Sequence, residues 1–276
     1  MPGILYLVPT PIGNLGDISA RAAETLSAVD FIAAEDTRVS VKLLNHLDIK
    51  KPLVSYHEHN QAQSGPKILA RLQAGESCAL VTDAGSPAIS DPGEGLVRLC
   101  AEQGVPVCAI PGPCAAITAL SVSGLSTARF AFEGFLPPQK KERRQRLERL
   151  AAEERTMIFY EAPHHLRETL EDLQTAFGPE RRISLCRELT KLHEEILRTT
   201  LQGAVAHYAE AEPRGEYVLI VAGGEQRAEA VTPEAALALA KGLVAEGLSK
   251  KDAARQIAAE TGVSKNALYN MLISGS

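Results

Sequence analysis

Short apolar runs and helix-period stretches alternate along the first part of the chain: ILYLVPT, DISARAAETLSAV, FIAAEDT, VKLLNHL, PLVSYHE, a helical stretch near 61–74, CALVTDA, a helix from about Gly93, and VPVCAIPG. Strand-like runs separated by helical crossovers predict an α/β domain with a mostly parallel sheet over residues 1–112. Asp17 or Ser19 is placed to cap the first helix. From Pro113 the theme returns as RFAFEGF, RTMIFYEA, RRISLCREL, EEILRTT and YVLIVAG. The helices between these strands are longer, so residues 113–226 read as a second, mixed α/β domain. After GGEQRAEAVTP the composition turns to Ala, Leu, Lys and Glu. A small helical segment over 232–276 is expected to open near Pro233, which suits a first helical turn.

In open α/β sheets, ligands collect where strands end at their carboxyl edges. Four turns follow predicted strands: PTPIGN at 9–14, AEDTR at 34–38, TDAGSP at 82–87 and IPGPCAA at 110–116. Proline fixes φ and glycine permits close backbone approach, so such turns are stiff and can set bare backbone against a ligand. Ordinary tight turns are the alternative for any one of them, less so for four together. The dinucleotide fingerprint fails, because GEGLVR at 93–98 has Arg98 where a third glycine belongs, and no Walker-type GKS or GKT occurs. Carboxylates and carbonyls in stiff loops suit a ligand with a neutral base and sugar that carries an amino-acid or cationic group.

Composition narrows this further. The 276 residues, 45% hydrophobic, can bury a substantial core. No run reaches the roughly 18–20 apolar residues a bilayer span needs. With a strand pattern from the start and no charged leader, a cytoplasmic product is expected. Cys78, Cys100, Cys108, Cys114 and Cys186 show no metal-ligand spacing and read as structural thiols without a disulfide. A net charge of −5 argues against coating nucleic acid over the whole surface and leaves room for a local basic patch.

The strings LYLVPTPIGNLGDIS, AAEDTR, YHEHN, LVTDAGSPAISDPG, IPGPCAAITAL, FEGFLP, IFYEAPH, RELTKLHEE and GEYVLIVAG, in this order over about residues 4–225, resemble the ribosomal small-subunit RNA methyltransferase I family of the tetrapyrrole-methylase superfamily. The resemblance implies two α/β domains with the cofactor cleft between them. It also implies S-adenosyl-L-methionine as methyl donor and the 2′-hydroxyl of a cytidine in the decoding region of 16S ribosomal RNA as acceptor. The partner would be that RNA or the assembled 30S subunit, and the enzyme a homodimer. By the same resemblance the DAGSP turn (Asp83, Ala84, Gly85, Ser86, Pro87) and Ile89 line the cofactor cleft, with Cys114, Ala115, Pro9 and Tyr160. Ser86 stands where the superfamily's Gly-Asp-Pro loop carries its Asp, and Asp83 is placed to compensate. His165 stands where family members usually have arginine.

A ribose hydroxyl is a weak nucleophile, and a positioned base is expected to help it. The candidate catalytic residues near strand ends are Glu35, Asp36 and Arg38 in AEDTR, and His57 and His59 in YHEHN. In an extended segment the two histidines would point the same way. They read as substrate-handling groups or as a solvated pair, with no third ligand to make a metal site. Asp36 and Arg38 read either as an ion pair at a helix start or as a phosphate-holding arginine with its acid. QKKERRQRLER at 139–149 offers Lys140, Lys141, Arg143, Arg144 and Arg146 for RNA phosphates. The tail SKKDAARQIAAETGVSKNALYNML resembles a helix-turn-helix, either a packed cap or an RNA-contacting appendage. Two other readings stay open: methylation of a tetrapyrrole or protein side chain, and a ligand-sensing DNA-binding regulator.

Overall fold

The apolar runs of the first part become five strands: β1 Leu5–Leu7, β2 Phe31–Ala34, β3 Leu53–Ser55, β4 Cys78–Val81 and β5 Val107–Ala109. They pair in parallel in the order β3-β2-β4-β1-β5. Both faces are covered, which is why these runs are apolar at consecutive positions. Leu5, Phe31, Ala33 and Leu80 face helices α3 (Gln61–Gln73) and α4 (Glu94–Glu102). Ile32, Ala34, Ala79 and Val81 face α1 (Ala20–Ala28) and α2 (Thr37–His46). Ser19 caps α1, its hydroxyl accepting from the Ala22 amide at 3.1 Å, and Asp17 belongs to a short 3-10 turn before it.

This is a computed structural model and describes residues 1–224 and 232–274. The first of two compact units, Met1–Gly224, holds a second sheet as well. Its strands are β6 Phe130–Phe135, β7 Thr156–Glu161, β8 Arg182–Arg187, β9 Glu195–Thr200 and β10 Tyr217–Val221, in the order β6-β7-β10-β8-β9. Only β6 and β7 are parallel. This second sheet is therefore mixed. Helix α5 (Ala115–Val122) covers one face of this sheet, together with Ile12 and Cys114 from the turns of the first half. Helices α6 (Lys140–Leu150), α7 (Leu166–Phe177) and α8 (Leu201–Glu210) cover the other.

Helix α6 corrects one expectation. Of the five basic residues read as RNA contacts, Arg143 is buried beside Leu147 with its side chain 1% exposed. Its Nε donates to Asp172 at 2.8 Å, one terminal nitrogen to Glu168 at 3.0 Å and the other to the Pro138 carbonyl at 3.2 Å. Arg144 donates to the other oxygen of Asp172, and Arg146 to Glu133. Arg143 thus fastens α6 to α7 and is not available to a phosphate. Lys140 and Lys141 are exposed and make no ion pair among the described residues.

The second unit, residues 225–276, contains α9 (Pro233–Ala245), α10 (Lys250–Thr261) and α11 (Lys265–Ser274). Thr232 and Ser249 cap the first two, and Gly262 ends α10 in the left-handed conformation at φ +74°. Ala236, Ala240, Ala254, Ile257, Leu268 and Leu272 form its core. Residues 225–231, within the GGEQRAEAVTP stretch read as the link, lie outside the described residues. Among the described residues no helix is long and apolar enough to cross a membrane.

Candidate active site

Because β1, β2, β4 and β5 run in parallel, the turns that follow them leave the same edge of the sheet. Three of these turns are bound to each other. Thr10 and Gly85 exchange backbone hydrogen bonds of 2.9 and 3.0 Å, and the Thr10 hydroxyl donates to the Thr82 carbonyl at 3.1 Å. The Ser86 hydroxyl donates to the Pro113 carbonyl at 3.0 Å. A Cβ on Gly112 would stand 2.8 Å from Cβ of Pro9, so only glycine lets these two turns approach so closely.

Between these turns and the second sheet lies a cavity of about 490 Å³, within the usual size range of small-molecule sites. Asp83, Ala84, Gly85, Ser86, Ile89, Cys114, Ala115 and Tyr160 line it. Pro9 and Pro87, also read as cleft residues, are buried in the scaffold behind the wall. Sequence reasoning missed most of the opposite wall, including Phe135, Ala162, Leu189, Tyr217 and Val218. The signal available was the strand-end position of FYEAP and EYVLIVAG. Tyr160 packs edge-on against Phe132 and Phe135, with ring centroids 5.2 and 5.5 Å away. Burial, then Cys114 and Asp91 nearby, pushes its phenol up to about 12.

Of the carboxylates that line this cavity, Glu35, Asp83 and Asp91 come from the loops that follow the first sheet's strands. Glu35 accepts from the Asp83 amide at 3.3 Å, and Asp83 accepts from the Asp36 amide at 3.1 Å. Burial raises the pKa of both, reinforced by their negative neighbours. Asp91 was not singled out from sequence. Burial, with Glu35 and Asp83 beside it, pushes its carboxyl up to about 7. Asp36 is different. It caps α2 and takes the Arg38 guanidinium, whose hydrogen bonds hold it down at about 2. Asp36 and Arg38 therefore form the ion pair at a helix start, and neither lines the cavity.

His57 and His59 do not sit in an extended strand as expected, because the chain turns after Tyr56 and Asn60 closes the turn on the His57 amide at 2.9 Å. Their rings lie 6.0 Å apart, outside the cavity wall, and Nδ1 of His57 is buried without a partner among the described residues. His165 precedes the first residue of α7 and is also off the wall.

The loop carrying Asp91 is held in an unusual shape. Ala88 and Ser90 take φ of +68° and +61°, and Gly93 takes +145°. A Cβ on Gly93 would meet Leu80 Cδ2 at 2.9 Å and Ala88 Cβ at 3.0 Å. Gly93→Ala is expected to cost about 1–3 kcal/mol, read as a lower urea midpoint.

Residues 4–205 match the family Tetrapyrrole (Corrin/Porphyrin) Methylases, and residues 229–275 match the RsmI C-terminal HTH domain. The chain is 52% identical over 270 residues to Ribosomal RNA small subunit methyltransferase I of Synechocystis sp., covering 98% of this chain and 97% of that protein. The chain belongs to the ribosomal RNA small subunit methyltransferase I family. The relative from Escherichia coli O157:H7, with the same name, is 50% identical over 269 residues, 97% of this chain and 93% of its own. The uroporphyrin-III-C-methyltransferase of Thermus thermophilus shares the fold at a TM-score of 0.56, with 19% identity over 79% of this chain and 94% of that one. Membership in this family bears out the tetrapyrrole-methylase fold and makes the protein a methyltransferase rather than a ligand-sensing regulator. The helix-turn-helix reading of the tail agrees with the second match.

Proposed function

We propose that the protein transfers a methyl group from S-adenosylmethionine to the 2′-hydroxyl of a cytidine in the decoding region of 16S ribosomal RNA, in the cytoplasm and as a homodimer. The observation that carries this reading is near-full-length identity of about half to relatives named ribosomal RNA small subunit methyltransferase I.

The cavity fits that donor. A sulfonium and an ammonium group suit Asp83, Glu35 and Asp91, and a neutral adenine suits the wall of Leu189, Val218 and Tyr160. Lys191 is the one cation among the lining residues, and Glu188 and Glu216 hold it at 2.8 Å each. A donor without phosphate matches a cleft without a spare cation. Bound there, S-adenosylmethionine supplies an electrophilic methyl carbon on sulfur. The protein's part is to align that carbon with the acceptor oxygen and keep the acceptor's proton moving away.

RNA is expected outside the cleft. Lys140 and Lys141 are exposed at the start of α6, and the edge strand β6 exposes Phe130, Phe132 and Phe135. Exposed rings suit unstacked bases, and lysines suit phosphates. Arg144 and Arg146, on the same helix, are already paired to carboxylates.

The test is transfer of labelled methyl to small subunits from a strain lacking the protein, beside naked RNA, wild-type subunits and a porphyrinogen. Label confined to the deficient subunits is the expected result. Label in the porphyrinogen instead would overturn the reading.

A further inference from the structure

A second cavity, of about 760 Å³, adjoins the cofactor cleft. It is a groove between Gln61, Ala62 and Pro66 of α3 and Glu94, Arg98 and Glu102 of α4, and it shares Glu35, Ser90 and Asp91 with the cleft. Of these shared residues, Glu35 is engaged by the Asp83 amide. Asp91 has no hydrogen bond or ion pair among the described residues, and the loop from Ala88 to Gly93 fixes it between the two spaces.

We propose that this groove seats the acceptor nucleotide and that Asp91 takes the proton from its hydroxyl as the methyl group is transferred. The inference rests on the methyl-transfer reading above and names the proton acceptor for it. The acceptor oxygen forms the new O–C bond while the C–S bond of the donor breaks. The pair from that bond stays on sulfur, the sulfonium becomes a neutral thioether, and the hydroxyl proton moves to a carboxylate oxygen of Asp91. Nothing else is consumed.

The groove's chemistry suits the base of that nucleotide better than its phosphates. Glu58, Glu94 and Glu102 are acceptors, and Pro66 has no N–H to give the Ala62 carbonyl four residues before it. Acceptors of this kind match the exocyclic amine of cytosine. The phosphates are left to the basic surface outside.

A base must be ionised to act, so the rate should rise with pH through the pKa of Asp91 and level off above it. The groups facing Asp91 are Glu35 and Asp83 from the first sheet's turns, Tyr160 from β7, and Glu58, Glu94 and Arg98 along the groove. Burial and the two carboxylates place the free enzyme's limb near 7. A bound sulfonium favours the carboxylate, so the limb in the loaded enzyme lies lower.

The experiment is single-turnover methyl transfer to deficient small subunits at saturating donor, across pH, for wild type and the variants Asp91→Asn, Asp91→Glu, Ala62→Trp and His57→Ala. Asp91→Asn should lose about 10²- to 10⁴-fold in rate along with the acid limb, and Asp91→Glu should keep the limb at a reduced rate. Ala62→Trp, on an exposed groove position, should raise KM for the subunit by about tenfold and leave donor affinity unchanged by calorimetry. Wild-type rate in Asp91→Asn, or a limb that disappears in His57→Ala and survives in Asp91→Asn, overturns Asp91 while the methyl-transfer reading stands. An unchanged subunit KM in Ala62→Trp overturns the groove. No transfer by the wild-type protein overturns both the reading and the inference.

Discussion

Ala115→Phe is expected to weaken S-adenosylmethionine binding by about 100-fold, or about 2.8 kcal/mol at 1.4 kcal/mol per tenfold, while the protein stays folded. Ala115 is the first residue of α5 and is half-buried on the cavity wall beside Cys114. A benzyl group there fills part of the cavity proposed above for the donor. The turns that shape the cavity are held by Thr10–Gly85 and Ser86–Pro113 hydrogen bonds that do not involve Ala115. Calorimetric titration checks the affinity and thermal unfolding checks the fold, with Ala115→Ser as the small control. An unchanged affinity in the Phe variant would place the donor elsewhere.

Arg143→Met is expected to destabilise the protein by about 3–5 kcal/mol, because it leaves Asp172 buried with Arg144 as its remaining cationic partner. The double variant Arg143→Met, Asp172→Leu should recover most of that loss, since an apolar pair needs no compensation in the core. The effect should also depend on pH. Burial alone would raise the Asp172 carboxyl, but hydrogen bonds from Arg144 and Arg143 outweigh it and leave the pKa lowered. A lowered folded pKa contributes stability that is complete above the unfolded value of about 3.9 and is lost as pH falls through the folded one. The gap between wild type and Arg143→Met should therefore be full at neutral pH and shrink below about pH 4. Urea unfolding at both ends of that range measures it.

Arg143 also shows where the sequence was legible and was misread. A charge run was taken as one surface, yet Arg143 and Leu147 are four apart, which puts both on one helix face, and in the structure both are buried. Periodicity carried the signal, and residue type hid it. The strands were easier. Two-sided burial made Phe31–Ala34 and Cys78–Val81 continuous apolar runs, and the parallel first sheet follows from the crossovers between them. The near wall of the cleft was legible because stiff turns follow those strands.

The far wall was harder. Leu189, Tyr217 and Val218 reach the cavity only because a mixed sheet with β10 at its centre brings them there, and nothing local in their sequence says so. Asp91 was in plain view in the quoted SDPG string, yet its meaning depends on two cavities meeting at it. His57 and His59 were placed by assuming that the strand continued, and Asn60 ends it.

The most direct test of the account is where the label sits after methyl transfer to deficient small subunits. Alkaline cleavage of RNA needs a free 2′-hydroxyl, so a ribose methyl leaves its nucleotide in an alkali-stable dinucleotide, whereas a base methyl is released in a mononucleotide. Label in one alkali-stable dinucleotide beginning with cytidine is the expected result. Label in a mononucleotide, or in ribosomal protein, would contradict it.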